Sequence, residues 1–285
     1  MKMKDIMNVC SMLRKKGEYH SNIVAVQSLL QHHGDFDVVQ TENAIMFVET
    51  GNNGRKNLYF AASGEEAMID ILSRGKEPDT VVSYLYREEP DNAIREIFSK
   101  AGLTLYAEYI RFLKKYSDNP YLLEIKNPRR KILQEMYDSA CGEYPTEEDA
   151  EEIYEIHMRN FDAVSDDIFT IDEWKEKIRK KEVLVYREEG KIIAYYNWKL
   201  EGNTFYSNVS VDEGPANIMY NLERRVFEKY WEQGIRIFYF WVNKKNSKQL
   251  RRDNVNDEPF IVTQQLLYQD IFCFRSGRMK NVSGM

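Results

Sequence analysis

The order of predicted elements in the first half of this chain of 285 residues recurs in its second half. Each half runs through helical patterns, a three-strand antiparallel meander, a helix, a nearly continuous apolar strand and a final run of strand character. Polar turns that contain glycine, at 51–54 and 188–190, connect strands of the two meanders. A repeat of about 130 to 140 residues is too long for a solenoid unit, so it predicts two copies of one domain.

The sequence predicts the α/β class, with an α+β mixed sheet in each copy. The first domain is predicted at 1–116 and the second at 145–285, joined by a linker at 117–144 that holds a basic run. Predicted helices lie at 7–13, 23–30, 65–73, 92–100, 147–160, 171–180, 216–233 and 247–252. Predicted strands lie at 36–40, 44–49, 57–62, 80–86, 103–113, 183–187, 191–200, 204–211, 235–242 and 260–274.

Two helix starts carry the signature of a capping box. Ser63 precedes the helix at 65–73 with Glu66 three residues on, and Thr146 precedes the helix at 147–160 with Asp149 three residues on. In such a box, each side chain accepts a hydrogen bond from the backbone of the other residue. Both positions are therefore predicted to be N-caps.

Charge and composition exclude several classes of partner. Lys and Arg number 40 against 46 Asp and Glu, and neither half is basic, so we expect no nucleic-acid partner. No run approaches about 18 apolar residues, so we expect no membrane partner. The three cysteines are widely spaced and form no CxxC pair, which is typical of a reduced, cytoplasmic protein without a metal site. The sequence leaves the oligomeric state open.

The second half, over 145–274, resembles the GNAT superfamily of acyl-CoA-dependent N-acetyltransferases. The resemblance is carried by the opening TEEDAEEIYEI and by the segments VLVYREEGKIIAYYNWKL, NVSVDEGPANIMYNLERRVFEKYWEQGI and RIFYFWVNKKN. It implies acetyl-CoA or another acyl-CoA as co-substrate, no metal, and a small-molecule or peptide amine as acceptor. The implied function is N-acyl transfer, with N-acetyl transfer the expected form.

In that family the loop after the fourth strand reads Arg/Gln-x-x-Gly-x-Gly/Ala and cradles the CoA pyrophosphate at a helix start. Unpaired amides and the positive helix end suit an anion there. The corresponding residues here are 214–219, where Asn217 and Met219 replace the small residues. Two readings stay open: a working cradle, or an ordinary helix start. The resemblance implies cofactor contacts at the strand and helix residues Val209, Val211, Asn217, Ile218, Met219 and Tyr220.

Acyl transfer requires a base that removes a proton from an ammonium acceptor. Near the fourth strand only Glu201 has a suitable pKa class, so it is the candidate base. Tyr206 and Asn208 alternate on that strand and are candidates for the acceptor pocket, with the aromatic run 238–241 on the neighbouring strand. The family's acid tyrosine would fall near 252–253, where the sequence has none.

The first half resembles the same family through VVSYLYREEPDNAIREIFSKAGLTLYAEYIRF. Its phosphate loop would be 61–66, where Glu65 and Glu66 would repel a diphosphate, and Phe98 stands at the position of the acid tyrosine. The chain is thus interpreted as a tandem of two degenerate copies, with the second copy the better candidate for an acyltransferase. The alternative, from another class, is a non-catalytic binding or scaffold protein that kept the GNAT fold.

Overall fold

The computed structural model divides into two compact units that are not contiguous in sequence. Unit 1 comprises Met1–Ile110, Asn243–Lys245 and Leu267–Met285, and unit 2 comprises Arg111–Val242 and Asn246–Leu266. The residues described are 8, 11–12, 19–21, 37–51, 54–77, 80–90, 92–119, 142–214, 218–247, 249–250 and 261–274. The predicted helix at 23–30 and most of the predicted linker lie outside them, and of the predicted helix at 7–13 only residues 8 and 11–12 are described, all three helical.

This division differs from the boundaries expected from the sequence, 1–116 and 145–285. The last strand pattern, predicted as part of the second domain, contributes residues from Leu267 onward to unit 1. The cause is a non-local pairing of strands that periodicity along the chain does not reveal. Whether the two units are copies of one domain stays a prediction.

In the residues that the structure describes, unit 1 contains a sheet and, besides the helical residues at 8 and 11–12, two helices with defined bounds. Its strands are β1 (Tyr19–His20), β2 (Asp37–Gln40), β3 (Ala44–Thr50), β4 (Lys56–Ala62), β5 (Thr80–Tyr86), β6 (Thr104–Tyr116, of which the residues before Arg111 belong to unit 1) and the later part of β11 (Ile261–Cys273). Its helices are α1 (Glu65–Arg74) and α2 (Asn92–Lys100). The predicted strand at 80–86 and the predicted helix at 92–100 match these bounds.

The sheet of unit 1 has the order β2-β3-β4-β5-β11-β6. β2, β3 and β4 form the predicted antiparallel meander, and β5 runs parallel to β4. β11 pairs antiparallel with β5, from Tyr268 opposite Tyr86 to Cys273 opposite Val81. Side chains of α1, α2 and the sheet form one apolar core, in which the ring of Phe98 stacks on that of Phe272 at 3.9 Å between centroids.

Gly75 ends α1 at a place where no side chain fits. A Cβ on Gly75 would lie 2.6 Å from Leu58 Cδ1 and 2.8 Å from Met46 Sδ, closer than real Cβ atoms approach other atoms. The helix therefore ends directly against the meander. The predicted cap at Ser63 is wrong, because the N-cap is Gly64 and no side chain caps this helix.

A part-buried ion network around the buried Asp270 ties β11 into unit 1. The Arg95 guanidinium donates to both carboxylate oxygens of Asp270, at 2.8 and 3.1 Å, and to Glu108 at 2.5 Å. Tyr86 Oη donates to Asp270 at 3.2 Å, and Lys244 Nζ lies 3.2 Å from Glu108. Asp270 is only 1% exposed, so its charge depends on these donors for the solvation that it loses.

Unit 2 contains the strands β7 (Val183–Glu188), β8 (Lys191–Glu201), β9 (Thr204–Asp212) and β10 (Ile237–Asn243). The last residue of β10, Asn243, belongs to unit 1, and the part of β6 from Arg111 onward lies beside β10 in unit 2. A 3₁₀ turn (Glu147–Asp149) leads into α3 (Ala150–Asn160), followed by α4 (Ile171–Arg179) and α5 (Ile218–Glu232). β7, β8 and β9 are antiparallel, and β9 and β10 are parallel. None of the helices in the described ranges is long and apolar enough to span a membrane.

Two apolar clusters cover the faces of this sheet. α5 packs Leu222, Val226 and Phe227 on one cluster, while α3 and α4 pack Ile153 and Trp174 on the other. The predicted capping box of Thr146 and Asp149 is confirmed, and Thr170 and Glu173 form a second one at the start of α4. These boxes satisfy amides that the first helical turn leaves without carbonyl partners.

His157 lies fully buried among aromatic rings between α3, the loop before α4, and β8. Its Nε2 lies 2.8 Å from the carbonyl oxygen of Asp167, so Nε2 carries the proton and Nδ1 accepts from Tyr195 Oη at 2.7 Å. Burial lowers the pKa of His157, and the charge of Lys177 lowers it further, while the Asp167 carbonyl and carboxylate oppose this effect. The folded protein therefore holds a neutral imidazole.

We expect Asp270→Ala to destabilise unit 1 by about 2 to 3 kcal/mol, because it leaves the Arg95 guanidinium without its main partner. Urea denaturation followed by circular dichroism measures the change. Asp70→Ala is the matched control, since Asp70 forms an exposed pair with Arg74 on α1, and should change stability by less than about 0.5 kcal/mol. Equal effects of the two substitutions would show that the network does not stabilise β11.

We expect the free energy of unfolding to fall as pH decreases below about 6.5, because the unfolded chain then protonates His157 while the folded chain resists it. In His157→Phe this part of the pH dependence should disappear, although the variant is less stable because Tyr195 and Asp167 lose a partner. Urea titrations at pH 7.5 and 5.5 measure both slopes. An identical slope in the two proteins would assign the pH dependence to other groups.

Candidate functional site

The parallel strands β9 and β10 pair over only part of their length. Their register begins with Thr204 opposite Ile237 and ends with Ser207 opposite Phe240. Beyond that point, among the residues that the structure describes, no strand pairs with the β10 side of residues 208–212. The stretch between 208–212 and 241–242, over which the β9–β10 ladder is not continued, is here called the β9–β10 cleft.

A β-bulge lies at the beginning of this cleft. On the other edge of β9, Trp198 of β8 pairs with Ser207 and Asn197 pairs with Val209, so Asn208 is an extra residue in β9. Asn208 Nδ2 donates to Asn197 Oδ1 at 2.9 Å, while its buried Oδ1 has no hydrogen-bond partner. Bulges occur often beside active sites, where they redirect a side chain and interrupt strand pairing.

In unit 1 the parallel strands β4 and β5 also stop pairing, after Leu58 opposite Val82, but there another segment of the chain pairs with the free edge. β3 pairs with one edge of β4 as far as Ala62. β1 pairs with Ala61 and Ala62 and must therefore use the other edge, the edge on which β5 has separated. Ser21 Oγ accepts from the Phe60 amide at 2.8 Å, which extends this contact. The cleft of unit 1 is thus filled by residues 19–21, and β4 has no bulge.

A carboxylate of the protein itself occupies the helix start beside the β9–β10 cleft. Asp212, the last residue of β9, accepts from the amide of Gly214 at 3.1 Å and from the amide of Met219 at 3.4 Å. These amides are among the groups that would face an anion at the start of α5. Ile218 is buried on the sheet, and Met219 packs half-buried on the same cluster. Asn217 lies outside the described residues.

The helix start of unit 1 adjoins a cavity of about 560 Å³, lined by Asn43, Ser63 and the first residues of α1. Glu65 at this entrance forms an exposed ion pair with Lys100 at 2.7 Å. Phe98, which stands where the family has an acid tyrosine, is fully buried in the core of unit 1. The Phe98 ring packs against the rings of Phe60 and Phe272.

Polar aromatic side chains line β9 and β10 on the face opposite α5. The rings of Tyr206 and Tyr239 stack at 4.5 Å with an angle of 5° between planes. Tyr239 Oη donates to Glu201 at 2.5 Å, and Lys199 Nζ lies 2.7 Å from the same carboxylate. Burial raises the pKa of both tyrosines, so their hydroxyls remain protonated at neutral pH. Arg111 of β6 lies over the Tyr239 ring.

Burial raises the pKa of Glu201, but the hydrogen bonds from Lys199 and Tyr239 and the charge of Arg111 outweigh this effect and bring the pKa below its usual value. Glu201 is therefore ionised at neutral pH, which a base requires. A lowered pKa also makes it a weak base.

The structure brings together Glu201 and Tyr206, through Tyr239 and Lys199, and it places Asn208 two residues further along β9. Val209 and Val211 are buried, with their side chains in the cluster of α3 and α4. Tyr220 lies half-buried in the first turn of α5. Sequence reasoning missed two side chains beside Glu201 and the one that occupies the helix start: Arg111, Lys199 and Asp212. Tyr239 lies within the aromatic run 238–241, which the sequence analysis names as a pocket candidate. For Arg111 a signal existed, because it is the one cation in the predicted strand at 103–113, whose other residues are mostly aromatic or apolar.

No family model and no curated protein matches the chain. Among solved structures, the chain is similar to a GCN5-related N-acetyltransferase from Sphaerobacter thermophilus, with 13% identity over 89% of this chain and 87% of that one and a TM-score of 0.55. This chain has the GNAT fold. A GCN5-related N-acetyltransferase from Kribbella flavida matches with 11% identity, 96% and 71% coverage and a TM-score of 0.48. The described residues contain no group of three or more His, Cys, Asp or Glu arranged to hold a metal ion.

We expect Lys199→Gln to raise the pKa of Glu201, because the ammonium group stabilises the charged form of the carboxylate. Carboxyl carbon chemical shifts in an NMR titration report this pKa directly. Lys191→Gln, an exposed change at the other end of β8, is the control and should leave the titration unchanged. An unchanged pKa in Lys199→Gln would mean that Tyr239 and Arg111 alone hold the carboxylate ionised.

Proposed function

We propose that the protein is an acyl-CoA-dependent N-acyltransferase, with acetyl as the expected acyl group and a small amine or peptide as acceptor. The observation that carries the proposal is the β9–β10 cleft. There, separated parallel strands and the bulge at Asn208 leave a row of backbone donors and acceptors without strand partners. The amide groups of a pantetheine chain can pair with such an edge as a further strand would.

Unit 2 is the proposed catalytic unit. In unit 1 the equivalent edge of β4 is paired with β1, and Glu65 and Glu66 bring negative charge to the helix start. A pantetheine chain would have to displace residues 19–21, and a diphosphate would meet two carboxylates. Unit 1 is proposed to be structural or to shape the substrate site. Soaking with acetyl-CoA should leave its cleft without cofactor.

Glu201 is proposed as the base that accepts a proton from the ammonium group of the acceptor, directly or through one water molecule. The deprotonated amine then attacks the acyl carbonyl to form the C–N bond. As the tetrahedral adduct collapses, the C–S bond breaks, the CoA thiolate leaves and the second amine proton passes to solvent. Tyr206 and Asn208 border the place where the acceptor would approach the cleft. The sequence has no tyrosine at 252–253, where the resemblance places the family's acid, so the thiolate is proposed to leave without a dedicated side-chain acid.

A non-catalytic binding or scaffold protein is the second candidate, and a specific observation favours it. Asp212 occupies amides at the helix start, where the CoA pyrophosphate would bind, and repels a diphosphate. Under this hypothesis the fold persists without a functional cofactor site.

Calorimetry with acetyl-CoA distinguishes the two candidates. We expect weak binding to the parent protein, and binding tightened roughly two- to fivefold by Asp212→Asn, equivalent to ~0.3 to 1 kcal/mol. Met219→Gly should also tighten binding by removing a bulky side chain, at a cost of about 2 kcal/mol in stability, because Gly disfavours the helix and the Met219 side chain also packs on the α5 cluster. A ligand present at 100 times its dissociation constant adds about 2.7 kcal/mol of stability, so a thermal shift provides a second measurement.

Asp172→Asn is the matched control, because Asp172 is an exposed carboxylate in the first turn of α4 in the same unit. It should leave acetyl-CoA binding unchanged. No binding by the parent, Asp212→Asn or Met219→Gly would reject the transferase and leave the scaffold. Tight binding to the parent, unaffected by either substitution, would mean that the pyrophosphate binds elsewhere.

A further inference from the structure

Arg111 lies beside the β9–β10 cleft, on the part of β6 that neighbours β10 in unit 2. Its guanidinium carbon is 5.3 Å from the centre of the Tyr239 ring and 5.8 Å from the centre of the Trp241 ring. Trp241 is the first residue of β10 after the last position paired with β9. The two rings therefore hold the guanidinium at the point where the strands separate.

This cation has no acidic partner in direct contact. Its Nε is buried without a hydrogen-bond partner, and none of the ion pairs formed within the described ranges includes Arg111. Burial lowers the pKa of Arg111, as expected where water is lost and no carboxylate replaces it. Arginine nevertheless stays charged in proteins. A buried donor left unpaired costs about 1 to 3 kcal/mol, so such groups are rare unless a ligand or water completes them.

The nearby carboxylates do not serve as that partner. Glu201 is already bound by Lys199 and by Tyr239, although its charge acts on Arg111 through space. The carboxylate of Asp167 also acts on Tyr206 and Tyr239. Arg111 is thus an unpaired planar cation beside Glu201, a carboxylate that Lys199 already partly neutralises, and a ligand that pairs with Arg111 must itself carry an anion.

We propose that Arg111 binds a carboxylate of the acceptor, so that the acceptor is an amine that also carries a carboxylate: an amino acid or a peptide with a free C-terminus. This inference rests on the proposed function, whose acceptor it specifies. The planar guanidinium matches a carboxylate through parallel hydrogen bonds, and the aromatic rings fix its plane. The ammonium group of the same molecule is then attracted by Glu201 and Asp167 and approaches the proposed base.

The first test measures binding without acyl-CoA. Calorimetry compares free amino acids and short peptides with the α-carboxamide of each, on the parent protein, Arg111→Gln and Arg111→Lys. We expect at least one acid to bind at least about tenfold more tightly than its carboxamide. Arg111→Gln should lower the affinity for the acid to that for its carboxamide and leave the affinity for the carboxamide unchanged. Arg111→Lys should restore part of the difference in affinity, because it restores the positive charge.

Arg179→Gln is the charge-matched control, since Arg179 is an exposed cation at the end of α4, and it should change neither affinity. Circular dichroism and thermal unfolding establish that each variant is folded; if Arg111→Gln is not, Arg111→Lys and the acid-to-carboxamide comparison on the parent decide the question. Equal affinity for acid and carboxamide, failure of every acid to bind, or unchanged acid affinity in a folded Arg111→Gln would each overturn the proposal.

The second test measures release of the CoA thiol from acetyl-CoA with the same panel. Thiol release with acids and much less with carboxamides supports both the inference and the proposed function. Equal release with both forms overturns the inference and leaves the transferase standing. A binding preference for acids without thiol release from any acceptor supports the carboxylate site and rejects the transferase.

Discussion

The structure of both units depends on one constraint: two parallel strands that separate leave an edge of backbone groups that need hydrogen-bond partners. β4 and β5 separate after three paired positions, and β9 and β10 after four. In unit 1 the chain satisfies the exposed edge of β4 with β1. In unit 2 no described strand does so for β9. The same backbone geometry thus produces a closed cleft in one unit and an open one in the other.

Charge at the helix starts follows the same division of roles. An N-terminal helix end attracts anions, and each unit places its own carboxylates there: Asp212 in unit 2, Glu65 and Glu66 in unit 1. Asp212 is one side chain in an exposed position, which a ligand of higher charge can displace by rotation of the side chain. Asp212 offsets the positive potential of the helix start, whereas Arg111, beside the cleft, is a cation without an acidic partner.

Local features of the fold were predictable from sequence, and non-local ones were not. The bounds of β5 and α2, and the cap at Thr146, depend on residues within one turn or one strand, so periodicity and turn chemistry sufficed. The cap at Ser63 was predicted wrongly because Gly64 next to it begins the helix. The contribution of Leu267–Cys273 to unit 1 and the position of Arg111 over Tyr239 depend on partners more than 100 residues away, which no pattern along the chain specifies.

The place of β11 in unit 1 has a consequence for synthesis on the ribosome. This strand lies between β5 and β6, and about 150 residues separate Tyr116 from Leu267. At about 5 to 20 residues per second, roughly 10 to 30 s pass between translation of β6 and that of the strand that pairs with it. During that interval the edge of β5 lacks its strand partner, and Arg95 lacks Asp270 and has only Glu108 to pair with. Unit 1, although it is synthesised first, completes its sheet after the strands of unit 2 have been translated.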